Sequence, residues 1–161
     1  MLRTMKVFLV LSVALWGLVG AFQNLMNWDD TIGAVTVATS MTTFEGGAES
    51  WQATSSPIVI WIGAFFIVIA KIAAGVLCMF GAHKMWNARR GDSAAFSAAK
   101  ELALAGCAIA LLMLFGGFIV VAETWFEMWR SEALRSASLE SAFRYGGMIT
   151  LIALFVGMRD G

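Results

Sequence analysis

Proline, histidine and cysteine are scarce in this chain of 161 residues, which has one proline, one histidine and two cysteines. Cys78 and Cys107 both lie inside apolar segments and form no Cys-x-x-Cys pair, so we interpret them as small packed side chains. The single histidine, His83, excludes bis-histidine haem ligation and leaves only a His–Met pair formally possible. A zinc site lacks its ligand cluster. We therefore expect no metal and no cofactor.

Charge is also scarce, at 14% of residues, and Lys plus Arg equals Asp plus Glu at 11 each. Without a basic surplus the chain has no electrostatic basis for binding nucleic acid through its phosphates. Gly-rich phosphate loops, Gly-x-Ser-x-Gly elbows and His-Glu-x-x-His helices do not occur in the sequence. The serine-rich stretch 131–141 has no histidine to activate a hydroxyl. We therefore expect that the protein is not an enzyme.

Apolar residues are abundant, at 60% of the chain, and they are arranged in blocks. The blocks predict an all-α integral membrane four-helix bundle in a single domain, 1–161, with amphipathic outer segments. The predicted helices cover approximately residues 4–26, 57–82, 101–122 and 143–158, the last being the shortest. The first block resembles a signal peptide, with a basic start and an apolar middle. We expect it to be retained as the first membrane helix.

The distribution of Lys and Arg predicts the orientation. Seven of these residues fall in the N-terminus, the middle loop and the C-terminus, whereas the first and third loops hold three, all in the third. The positive-inside rule then gives an N-in, C-in topology in a bacterial inner (cytoplasmic) membrane. Trp28, Trp51, Trp125 and Trp129 lie near the predicted outer boundaries and Trp86 near the inner one, as expected for interfacial aromatic residues.

Small residues recur at helix-packing spacing on three of the predicted helices. They are Gly17 and Ala21 on the first, Ala70, Ala74, Cys78 and Ala82 on the second, and Ala103 and Cys107 on the third. Such faces allow close approach of helix backbones. We interpret them as packing surfaces within the bundle, although a helix of a partner could use one of them.

Lys71 is the most unusual residue because it lies near the middle of the second predicted helix. A charge at that depth costs roughly 2.5–3.5 kcal/mol on insertion scales, which makes it a functional candidate. Three interpretations remain open. The side chain extends toward the inner headgroups, or it pairs with a group of another subunit, or it takes part in proton or ion translocation. The last would usually need an acidic relay, which the sequence does not offer.

The segment 123–144 is a second candidate region, since aromatic side chains and arginine typically anchor interfaces. An amphipathic helix lying on the outer leaflet is an equally good interpretation. Together with the lysine in the second helix, the candidate interaction residues are Lys71, Glu123, Trp125, Phe126, Met128, Trp129, Arg130 and Arg144.

Several short motifs occur in order along most of the chain. They are Asn24 with Trp28, Ser40-Met41-Thr42-Thr43-Phe44, Leu77-Cys78 with Gly81-Ala82, Phe96-Ser97-Ala98-Ala99-Lys100, Glu123-Thr124-Trp125-Phe126-Glu127-Met128-Trp129, and Ala142-Phe143-Arg144. In these motifs the chain resembles a bacterial family of predicted small integral membrane proteins with four transmembrane helices. It departs from the family at Val37, Thr42 and Lys71, where His or acidic residues are expected. The resemblance implies a membrane topology but does not indicate which activity the protein has.

These features predict a non-catalytic accessory subunit of a larger bacterial membrane complex, of respiratory or photosynthetic type. The expected partners are the lipid bilayer and the other subunits of that complex, with a bound lipid or quinone possible. The alternative is a small transporter, or a quinone- or lipid-binding membrane protein, with a pocket near Lys71.

Overall fold

The described part of the chain is mostly helical and contains no strand. A computed structural model describes residues 1–160, apart from the side chains of Ala133 and Ala137. The elements in chain order are α1 (Leu2–Met26), α2 (Trp28–Ser40), α3 (Pro57–Ala88), α4 (Ser93–Ala99), α5 (Glu101–Leu111), the π-helical segment Leu112–Trp125, the 3-10 turn Met128–Arg130, α6 (Glu132–Leu134), the π-helical segment Arg135–Leu139 and α7 (Glu140–Gly157). The all-α prediction is confirmed.

Three helices are long and apolar enough to cross a membrane. Within residues 1–160 they are Leu2–Met26, Pro57–Ala88 and Ser93–Trp125, which joins α4, α5 and the π-helical segment Leu112–Trp125. Their 18-residue apolar windows have mean hydropathies of 2.0, 2.4 and 2.6. α7 is not among them. Its 18 residues extend about 27 Å, slightly less than the roughly 30 Å of bilayer hydrocarbon. The predicted fourth span is thus present as a helix of the bundle, packed against α1 and α5, but it lacks the apolar length of the other three.

Glycines set the closest contact between α1 and α3. A Cβ atom added at Gly17 would lie 2.8 Å from the carbonyl oxygen of Lys71 and 3.0 Å from the backbone nitrogen of Gly75. A Cβ at Gly75 would in turn meet the carbonyl oxygen of Ala14 at 3.0 Å. The two backbones therefore touch, and dispersion between them stabilises the pair.

The interface between α3 and α5 follows the same principle. A Cβ at Gly106 would lie 2.6 Å from the sulfur of Cys78, and a Cβ at Gly81 would overlap the backbone of Ala103. The stripes of small residues noted in the sequence are buried in the bundle, at Gly17, Ala21, Ala70, Ala74, Cys78, Ala82, Ala103 and Cys107. These faces hold the chain's own helices together.

Both termini and α4 lie at one end of the bundle, here called the terminal end. The amino group of Lys6 lies 2.9 Å from Oδ1 of Asp160, and Lys100 contacts Oδ2 of the same carboxylate. The two amino groups also donate to the carbonyl oxygen of Met158, at 2.8 and 2.9 Å. This buried cluster fastens α1 and the start of α5 to the C-terminal end of α7.

Asp160 is charged in this cluster. Burial alone would raise the pKa of its carboxyl, but hydrogen bonds and positive charge from Lys100 and Lys6 hold the pKa below its ordinary value. The neighbouring Ser93 hydroxyl donates to the Asp160 carbonyl at 2.8 Å and accepts from Arg3 at 3.2 Å. The three segments that hold seven of the chain's Lys and Arg residues thus meet at one end.

The opposite end, here called the aromatic end, consists of α2 and residues 41–56 and 126–139. Asp29 and Asp30 occupy the first turn of α2, where carboxylates are favoured by the helix dipole. α2 packs along the N-terminal part of α3. The two helices approach so closely that a Cβ added at Gly63 would lie 2.9 Å from the side chain of Val35. The sequence predicts connecting loops here and at the terminal end, whereas the structure forms the helices α2 and α4 in them.

Candidate functional site

Lys71 forms a polar contact inside the chain. Its amino group donates a 2.6 Å hydrogen bond to Oδ1 of Asn24, and Nδ2 of Asn24 donates to Oγ1 of Thr31 at 2.9 Å. The hydroxyl of Thr31 donates to backbone carbonyl oxygens of Asn24 and Asn27. This chain of hydrogen bonds leads from α3 through the end of α1 into the start of α2.

The direction of this side chain corrects one interpretation of the sequence. One of the three open interpretations has Lys71 extending toward the inner headgroups, on the side of His83. Its side chain runs the other way, past Gly20, whose Cβ would lie 3.4–3.6 Å from the Lys71 Nζ, Cδ and Cε atoms. The physical reason is that Cα–Cβ bonds tilt toward the N-terminus of a helix, and the N-terminus of α3 lies at the aromatic end.

Aromatic contacts indicate the depth of Lys71. Trp28 packs against Trp61 and Phe65, with ring centroids 5.7 and 5.3 Å apart. At the other end, Trp86 stacks under Arg89 at 3.7 Å. From Phe65 to Trp86 the helix rises about 31 Å, close to the hydrocarbon thickness. Lys71 lies about 9 Å of helix rise from Phe65 and about 22 Å from Trp86, so it is nearer the aromatic end.

The candidate residue Trp125 forms an exposed aromatic surface with Trp51, which was not among the candidates. Trp125 and Trp51 meet edge to face with centroids 5.1 Å apart, and they are 50% and 82% exposed. Trp129 is 54% exposed. Trp51 and Trp125, here called the aromatic surface, come from the first and third connecting segments, which the sequence alone could not place together.

Arg130 holds those two segments in place. Its guanidinium pairs with Glu127 at 2.8 Å, donates to the carbonyl oxygen of Glu45 at 3.1 Å, and lies 4.5 Å above the ring of Phe44. Glu127 has a positive φ of 50°, which turns the chain sharply after the third long helix. The Arg130 contacts cross 85 residues of sequence.

The remaining candidates have different surroundings. Phe126 and Met128 are buried, so they are not part of the aromatic surface. Arg144 lies in α7, where its guanidinium contacts Ser141 and the ring of Tyr145. Its recorded contacts do not include the aromatic surface. Glu123 is half-buried near the end of the π-helical segment.

A groove separates the π-helical segment Leu112–Trp125 from α7. It has a volume of about 1060 Å³ and walls of apolar side chains and glycines, with Glu123, Arg135 and Glu140 at the aromatic end. The exposed rings of Phe115 and Phe143 flank it. No single motif in the sequence predicts this groove, because it arises from how two helices pack.

Among the described residues, no three His, Cys, Asp or Glu side chains gather in a way that could hold a metal ion. The candidate features are a polar contact within the apolar bundle, an aromatic surface and an apolar groove.

Helices of membrane length, close glycine contacts and aromatic rings at both boundaries define a small helical integral membrane protein. More particularly, the chain belongs to the family described as "Predicted small integral membrane protein (DUF2165)", which matches residues 2–159. The resemblance noted in the sequence is thereby confirmed, with three helices of membrane-spanning character where four were expected. No curated protein and no solved structure matches the chain.

Proposed function

We propose that this protein is a non-catalytic accessory subunit of a larger membrane complex, of respiratory or photosynthetic type, in the bacterial inner membrane. The observation that carries the proposal is the aromatic surface of Trp51 and Trp125. Tryptophan is enriched among the residues that dominate binding at protein interfaces. The arrangement supports a rigid docking surface, because the contacts of Arg130 tie its two segments together.

Lys71 supports the same proposal. Within the described residues its amino group has one hydrogen bond, to a neutral amide, although an ammonium group carries three donors. A carboxylate or carbonyl group of a neighbouring subunit would occupy the remaining donors. Such a contact would offset part of the cost of holding the charge in the apolar region.

The proposed orientation places the terminal end in the cytoplasm. The terminal end holds the Lys- and Arg-rich segments, including Lys6 and Lys100, and the positive-inside rule assigns such segments to the cytoplasmic side. The aromatic surface then faces the periplasm. It would contact a partner at or just beyond the outer boundary of the membrane.

The test compares tagged variants isolated in mild detergent from the native membrane, with co-isolated proteins quantified by mass spectrometry. The double variant Trp51→Ala/Trp125→Ala removes the two rings that touch. Phe80→Ala is the matched control, because Phe80 is 61% exposed on α3, outside the aromatic surface. We expect the double variant to lose co-isolated subunits at least tenfold and the control to keep them. Equal recovery from both variants would contradict the proposed surface.

Transport is the main competing function, and Lys71 distinguishes the two. In a transporter the Lys71 amino group would lie on a polar path, and Lys71→Met would abolish flux. In an accessory subunit the same change weakens assembly and leaves no flux to lose. The contact with Asn24 favours the second outcome, since it engages the amino group within the bundle. Reconstituted vesicles with and without the substitution measure the difference.

A further inference from the structure

The groove between the π-helical segment and α7 has the length of one membrane leaflet. On α7 its lining runs from Glu140 to Thr150, which is about 15 Å of helix rise. Half of a bilayer's hydrocarbon thickness is also about 15 Å. The groove begins at the aromatic end and stops near the middle of the bundle, so its depth matches the acyl chains of the nearer leaflet.

Glycines keep this groove open. A Cβ at Gly146 would make only an ordinary contact, 3.9 Å from Cβ of Leu114, and a Cβ at Gly147 would meet nothing within 4 Å. Both glycines line the groove, and Gly116 faces it from the opposite helix. The chain's own side chains therefore leave a volume of about 1060 Å³, at the upper end of the roughly 300–1000 Å³ of ligand pockets.

Charges of both signs stand at the mouth of the groove, where a lipid headgroup would lie. Arg135 can donate to phosphate oxygens, and an arginine fork suits that geometry. Glu123 and Glu140 can accept hydrogen bonds from an ammonium group. A purely anionic headgroup would be attracted by the first residue and repelled by the other two, whereas a headgroup with phosphate and amine satisfies all three.

We propose that this groove is a binding site for one zwitterionic aminophospholipid of the phosphatidylethanolamine class. The acyl chains occupy the apolar walls, the phosphate contacts Arg135, and the ammonium group lies between Glu123 and Glu140. The site is independent of the accessory-subunit proposal. A bound lipid here would also fill the space between α7 and the π-helical segment Leu112–Trp125.

The test uses the full chain in nanodiscs that contain equal amounts of palmitoyl-oleoyl phosphatidylethanolamine and palmitoyl-oleoyl phosphatidylglycerol. Native mass spectrometry then identifies the lipids that stay bound to the chain after its release from the nanodisc. We expect one retained phosphatidylethanolamine per chain, with at least a tenfold preference over phosphatidylglycerol. Gly146→Leu should lower that retention at least tenfold. Gly157→Leu is the matched control, because it lies on the same helix outside the groove with nothing within 4 Å of its Cβ.

A second variant changes the charges at the mouth of the groove and provides a test if Gly146→Leu fails to fold. The double variant Glu123→Gln/Glu140→Gln removes the ammonium partners and keeps Arg135, so the preference should move toward phosphatidylglycerol at least tenfold. Equal retention of both lipids by the wild-type chain would overturn the proposal. So would an unchanged preference in the charge variant, or a quinone or a partner's helix in the groove in place of a phospholipid.

Discussion

Lys6, in the first turns of α1, lies 2.9 Å from the carboxylate of Asp160, which follows the last helix. Both side chains are buried, and Lys100 completes the cluster from the start of α5. Three segments that are distant in sequence are therefore joined by one carboxylate. This contact closes the bundle at the terminal end.

Replacing Asp160 should destabilise the protein strongly. Asp160→Asn leaves the amino groups of Lys6 and Lys100 buried without a countercharge, and breaking a buried pair in this way costs about 3–5 kcal/mol. Thermal unfolding in a fixed detergent measures the effect. Glu49→Gln, at an exposed site of the aromatic end, should change the unfolding midpoint by less than the experimental scatter. Equal midpoints for the two variants would show that the cluster contributes nothing.

The same carboxylate predicts how stability depends on pH. Because the folded-state pKa of Asp160 is lowered, its contribution is fully present above the unfolded pKa, about 3.9. That contribution is lost as the pH falls through the lower folded-state value. The difference in unfolding midpoint between wild type and Asp160→Asn should therefore stay constant from about pH 8 to about pH 5 and shrink below about pH 4. A difference that fades already near neutral pH would be inconsistent with this ion pair.

Lys71 and Asn24 should be energetically coupled. A hydrogen bond to a charged group contributes about 1.5–3 kcal/mol, and the 2.6 Å distance places the pair in direct contact. A double-mutant cycle with Lys71→Met and Asn24→Ala should give a coupling free energy of about 1.5 kcal/mol. Additive effects of the two substitutions would mean that the amino group spends little time on Asn24.

Two glycines should respond in opposite directions to alanine. Gly17→Ala forces a Cβ against the α3 backbone and should destabilise the protein by about 1–3 kcal/mol. Gly33→Ala in α2 meets nothing within 4 Å and should stabilise it by about 0.5–1 kcal/mol, because alanine favours helix. Chemical unfolding of both variants checks the signs. A neutral Gly17→Ala would mean that α1 and α3 can move apart at little cost.

The helical structure and the packing faces were predictable from the sequence, because a segment in lipid must pair its own backbone polar groups. A long apolar run such as the one after Pro57 has few folds other than a helix. Small residues every fourth position, such as Ala74 and Cys78, then mark the side where another helix fits. The fourth span was harder, since Glu140 and Arg144 dilute the apolar character of α7.

Short helices and long-range polar contacts escaped prediction for different reasons. α4 carries a readable signal, since Asp92 caps it by accepting from the backbone N–H of Ala95 at 2.7 Å, as N-cap aspartates do. The position of Asp160 between two lysines has no such signal, because the contact with Lys6 spans more than 150 residues. The direction of Lys71 follows from helix geometry once the end of α1 is known to lie beside it.

The most direct test of the proposed role is the composition of what the wild-type chain is bound to. A tagged chain, isolated from its native membrane in mild detergent, can be weighed by native mass spectrometry and its partners identified by peptide sequencing. The accessory-subunit account predicts a defined assembly, with this chain in fixed stoichiometry to subunits of a larger energy-converting complex. Recovery of the chain alone, or only as a homo-oligomer, would contradict it.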